Sequence, residues 1–200
     1  MQKAKECLEI GDYDRAIRLY NAELDHHPQN FEARYGLGLA YYQKARAENG
    51  SAADAIRGWA KSVDELECAL RIRSTPVLTQ NLANACYHLA AAQDDQGHSE
   101  EAMRNLERAL GYRPGHIQAL HRLGSIQYQL REYDRARSTF QRVLETDPSF
   151  IPAYQNLGST LWALGRLDEA SAIWKAGLDL SPRDEFLRRW HSKAESKTAQ

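Results

Sequence analysis

Histidine, cysteine and paired glycine are the residue types in this chain that could hold a metal, attack a carbonyl or cradle a phosphate. Their spacing argues against each use. The seven histidines include one adjacent pair, His26 and His27, which precedes Pro28, and none belongs to an HExxH or mixed His/Cys ligand pattern. Cys7, Cys68 and Cys86 follow no CxxC spacing and stand among apolar or alanine-rich neighbours, a setting for packed, reduced thiols. Gly36-Leu37-Gly38 lacks the strand and third glycine of a dinucleotide fingerprint, GxxxxGK[ST] is absent, and no serine or cysteine sits in an elbow motif. No enzyme, cofactor or metal site is expected.

What remains is recognition by a local surface. With 26 basic and 27 acidic side chains in 200 residues the net charge is −1, which gives no bulk attraction to nucleic acid or an anionic membrane. No run of 18 apolar residues occurs, so membrane insertion is not expected. The opening residues MQKAKECLEIGDYD are charged where an export signal would be apolar. A cytoplasmic chain is the expectation, or an exported or tethered one if a preceding segment is missing. Asn49-Gly50-Ser51 fits a glycosylation acceptor, but a turn explains it without secretion.

The elements that would position a recognition surface repeat. Pro114, Pro148 and Pro182 stand 34 residues apart, and the segments GDYDRAIRLY from Gly11, REYDRARSTF from Arg131 and GRLDEASAIW from Gly165 superpose, joined less strictly by GHSEEAMRNL from Gly97. Upstream of these lie GLGLAYY from Gly36, NLANACY from Asn81, RLGSIQY from Arg122 and NLGSTLW from Asn156. Each repeat therefore reads as two helices. Gly124 in the first helix and Ala136 in the second offer small surfaces, Phe140 fills the space one turn on, and Pro148 ends the pair.

These residues resemble the tetratricopeptide repeat family, with its W-x2-L-G-x2-Y, A-x3-F and P pattern at a period of 34. Leu120 and Tyr154 replace the pattern's Trp, and Arg131 stands where a turn Gly is usual. The resemblance implies an all-α, right-handed superhelical solenoid of antiparallel helix pairs, about five repeats with a C-terminal capping helix. The expected organisation is an incomplete repeat over 1–30, enlarged repeats over 31–75 and 76–116, regular repeats over 117–150 and 151–184, a capping helix over 185–193 and a polar tail over 194–200.

Two repeats are enlarged. Ile56, Trp59, Val63, Leu66 and Leu70 keep helical apolar spacing, so the second helix of repeat two is expected to run from Ala52 to Arg73. Thr75-Pro76 read as N-cap and first helical residue, and seven further residues from His88 lengthen that helix in phase. The added turns either bury Trp59 or form a docking ridge.

In the family, the first helix of each repeat lines the concave side. The resemblance places Tyr35, Tyr42, Asn81, Asn84, Tyr87, His121, Arg122, Tyr128 and Asn156 on that face, as candidates for holding a partner peptide or helix. Asparagine amides match the unpaired groups of an extended backbone, and tyrosines add contact area at little entropy cost. Packing between helices is the competing role for Tyr42, Tyr87 and Tyr128, whereas Asn81, Asn84, Arg122 and Asn156 are expected to have none. Some relatives clamp a C-terminal carboxylate with Lys, Asn and Arg. Asn81 and Arg122 match that clamp, but Tyr35, Leu39 and Gln118 stand where it has Lys, Asn and Lys. The expected function is a non-catalytic interaction module, scaffold, adaptor or co-chaperone-like. The alternative is a self-assembling homo-oligomeric scaffold in which the first repeat or the Trp190 helix docks into another copy.

Overall fold

The computed structural model describes residues 1–47 and 51–198, and among them every regular element is an α-helix. They form two units. The first, Met1–Pro114, holds α1 (Gln2–Glu9), α2 (Tyr13–His26), α3 (Phe31–Ala47), α4 (Ala52–Ile72), α5 (Pro76–Asp95) and α6 (Ser99–Tyr112). The second, Gly115–Gln200, holds α7 (Ile117–Gln129), α8 (Tyr133–Thr146), α9 (Ile151–Ala163), α10 (Leu167–Leu180) and α11 (Glu185–Thr198). Within each unit, every helix packs against the next in sequence.

Local chemistry sets the helix ends. Asp12 accepts from the Arg15 amide, Thr75 from the Leu78 amide ahead of a Pro76 start, and Ser51 from the Asp54 amide, so each cap satisfies a donor that the first turn leaves orphaned. The remainder of the Asn49-Gly50-Ser51 turn lies outside the described residues. The helices of the pairs α1–α2, α5–α6 and α9–α10 are joined by a tight turn with one left-handed residue: Gly11 at φ 83°, Gly97 at 79° and Gly165 at 76°. Arg131 takes the equivalent place at φ 62°, a conformation unfavourable to a side chain that the packed helices on either side impose.

Helix pairs close on small residues. A Cβ added to Gly124 would lie 2.8 Å from the Phe140 ring, so α7 approaches α8 closely enough to bury Phe140, a gain of about 2–3 kcal/mol. Gly158 leaves the same room for the Trp174 indole. Gln127 occupies the place where the family pattern has Tyr. It is buried, and its Oε1 accepts from Thr139 Oγ1 at 2.8 Å, which satisfies an amide that the core would otherwise penalise.

The lengthened helices are α4, with 21 residues, and α5, with 20. Their added turns meet: Trp59 is 6% exposed, stacks on the His88 ring at 4.7 Å and takes an edge contact from Tyr42 at 4.9 Å. Burying a large aromatic is thus what the extra turns accomplish. At the C-terminus the structure corrects the expected capping helix of 185–193 and tail of 194–200. α11 continues to Thr198, because Ala194 follows Leu187 at i+7 onto the same buried stripe.

Candidate functional site

Each unit brings part of the expected set together. In unit 1, α3 supplies Tyr35 and Tyr42 and α5 supplies Asn81, Asn84 and Tyr87. The expectation that Asn81 has no packing role is corrected: its Nδ2 donates to the Tyr35 hydroxyl at 2.7 Å, tying α5 to α3. Burial raises the Tyr35 pKa, and that hydrogen bond offsets part of the rise. Tyr42 packs on Trp59 of α4 and His88 of α5 and so serves as inter-helix packing, whereas the ring of half-buried Tyr87 meets that of its neighbour His88 on the same helix at 5.2 Å. Asn84 is half-buried and makes no side-chain hydrogen bond among the described residues.

In unit 2 the same relation recurs. Asn156 Nδ2 lies 2.9 Å from His121 Nε2, joining α9 to α7, which corrects the expectation for Asn156 too. With the amide as donor, Nε2 accepts and the ring proton sits on Nδ1, the neutral imidazole. Its surroundings favour that form: burial first, then the Arg122 charge, lower the His121 pKa. The ring is also wedged against Phe150 at 5.2 Å and Phe140 at 5.9 Å. Arg122 is half-buried at the next position of α7.

Beside this tie lies a hollow of ≈ 280 Å³ lined by Ser125, Tyr128, Gln129, Phe140, Asn156 and Ser159. Tyr128 is 36% exposed there and rests edge-on against Tyr133 at 5.4 Å. Ser125 donates its hydroxyl to the His121 carbonyl at 2.9 Å, and Ser159 donates to the Gln155 carbonyl at 2.8 Å. Both hydroxyl protons are thereby spent within their own helices, leaving oxygen lone pairs as acceptors. Asn156 likewise uses one N–H on His121. An apolar floor at Phe140 with acceptors around it suits a chain segment that brings N–H donors and a modest side chain.

Gln129 and the floor role of Phe140 lie outside the residues expected from the sequence. The asparagine ties do have a sequence signal, since Tyr35 and His121 each stand one place before Asn81 and Asn156 in repeat phase. Among the described residues no group of three or more His, Cys, Asp or Glu could hold a metal. No described helix is long and apolar enough to cross a membrane.

Paired antiparallel helices closed by small residues at a 34-residue period define a helical-repeat protein. Tetratricopeptide repeat profiles match residues 1–66, 95–159 and 132–188, and the chain belongs to the tetratricopeptide repeat family. Tetratricopeptide repeat protein 8 of Caenorhabditis elegans is 26% identical over 156 residues, which is 69% of this chain; the chain spans only 30% of that relative's length. The crystal structure of MamA protein superposes with a TM-score of 0.60 at 27% identity, covering 92% of this chain and 90% of MamA. YrrB, a TPR protein with an unusual peptide-binding site, shares the fold at a TM-score of 0.59 and 21% identity, over 93% of this chain and 87% of YrrB. The first TPR of Spaghetti (RPAP3), bound to the HSP90 peptide SRMEEVD, shares it at 0.58 and 20%, over 60% of this chain and 96% of that domain.

Proposed function

We propose that this chain is a non-catalytic cytoplasmic adaptor that holds an extended segment or short helix of a partner protein against the α7–α9 face. The observation that carries this reading is the acceptor-rimmed, Phe140-floored hollow at Ser125, Tyr128, Gln129, Asn156 and Ser159. The face of α3 and α5, with Tyr35, Tyr42, Asn81, Asn84 and Tyr87, is the corresponding surface of unit 1. His121 and Arg122 act behind the hollow by holding and polarising its wall. Peptide sites in YrrB and in the Spaghetti domain are consistent with such a use of the fold. Three free cysteines, two of them buried, fit a reducing compartment. Head-to-tail self-assembly through the Trp190 helix is less favoured, because Trp190 packs against Trp162 and Trp174 of its own chain.

A random-peptide display selection on the full chain tests the proposal. Selected peptides should lose at least about tenfold in affinity on Ser159→Tyr, which fills the hollow, and on Tyr128→Ala, and nothing on Gln141→Ala, outside it. Peptides indifferent to both hollow variants reject this face as the site.

A further inference from the structure

One flank of α11 combines aromatic surface with charge that no carboxylate among the described residues neutralises. Leu187 and Ala194 are fully buried and fix the inward side of the helix. Trp190 sits beside them, its ring 5.6 Å from Trp162 and 5.7 Å from Trp174. Phe186, Trp190, Lys193 and Lys197 fall at i, i+4, i+7 and i+11, the spacing that stacks side chains along one flank. Phe186 stays 39% exposed, with its ring 6.1 Å from Trp190. Both lysines lean over indoles: Lys193 Nζ is 4.4 Å from the Trp190 ring centre and 5.5 Å from that of Trp162, and Lys197 Nζ is 5.0 Å from Trp162.

A cation–π contact positions an ammonium without cancelling its charge. Among the described residues no carboxylate lies within ion-pair distance of either lysine, while the acidic residue between them, Glu195, faces His191 at 3.5 Å. Two like charges one turn apart repel each other, and both sit against low-dielectric indole surface, where an incoming anion is worth more than in open water. The Phe186 and Trp190 rings beside them offer apolar contact.

We infer that this flank docks an acidic segment of another protein, with two carboxylates one helical turn apart meeting Lys193 and Lys197 and an apolar side chain lying on Phe186. A nucleic-acid backbone or an anionic membrane is the poorer match. Useful affinity for a phosphate backbone takes several phosphate contacts, a juxtamembrane basic patch takes four or more cations, and the chain as a whole carries −1. The contact uses none of the hollow's residues, so it goes beyond the α7–α9 site and stands independently of it.

The probe is a blocked helical peptide with two glutamates one turn apart and leucines between them, titrated into the full chain while the indole N–H resonances of Trp162 and Trp190 are followed. Binding is expected to shift both resonances. It should weaken at least tenfold in Lys193→Gln/Lys197→Gln, persist in Lys193→Arg/Lys197→Arg, and be unchanged in Asn156→Ala. A glutamine version of the peptide that binds equally well overturns the inference. So does binding lost in Asn156→Ala and kept in the lysine variants, an outcome that leaves the hollow standing as a peptide site. Lysine-dependent binding to phosphatidylserine vesicles, with no binding of the peptide, overturns it in favour of a membrane.

Discussion

Asn81 donates its amide to the Tyr35 hydroxyl across 2.7 Å, and Asn156 stands in the same relation to His121 at 2.9 Å. In each unit, therefore, an asparagine of one first helix fastens the first helix before it. The tie is structural, yet it sits at the surface where a ligand would lie, so the same amides brace the face and form part of it.

A double-mutant cycle separates the two roles. Asn81→Ala and Tyr35→Phe are each expected to cost about 1 kcal/mol in urea unfolding, and the double variant about the same as one alone, because a single bond is lost. Fully additive losses would show that the two side chains act apart.

Trp59 anchors the added turns of α4 and α5. Trp59→Ala is expected to cost about 3–5 kcal/mol and to speed amide exchange over residues 52–60 and 88–95, with little change in unit 2. Local exchange unchanged in that variant would mean that the extensions hold without the indole.

Acid should weaken the fold through two histidines. Burial first, then Arg46, lowers the His88 pKa below its ordinary value of 6.5, and burial with Arg122 does the same for His121. Above pH 6.5 both states are neutral at these groups and the stabilisation is complete. Below it the unfolded chain takes up protons that the folded chain refuses, so stability falls toward the lowered values, by at most about 1.4 kcal/mol per pH unit per group. His88→Phe, which keeps the stack on Trp59, should make this decline shallower between pH 6.5 and 5. An identical decline in the variant would remove His88 from the account.

The period, the helix pairing and the lengthening of α4 and α5 were legible because each rests on spacing: proline at 34 residues, apolar residues from Ile56 to Leu70, Thr75 before Pro76. The roles of Asn81 and Asn156 were not. A polar residue on a helix face reads as solvent-facing unless its partner is known, and Tyr35 and His121 lie 46 and 35 residues away. The end of α11 was misread for a related reason. HSKAESKT is polar in composition, but a single alanine at the right phase, Ala194, is enough to keep one stripe packed. Lys197 escaped notice as part of that expected tail, whereas Lys193 already fell on the expected capping helix.

The proposed function requires that a partner segment rest on the α7–α9 face. Hydrogen exchange on the full chain, with and without a peptide obtained by display selection, tests it most directly. Protection is expected over residues 121–129 and 155–163, with α8 and α10 unchanged. Protection confined to α8 and α10, with α7 and α9 exchanging as in the free chain, would contradict it.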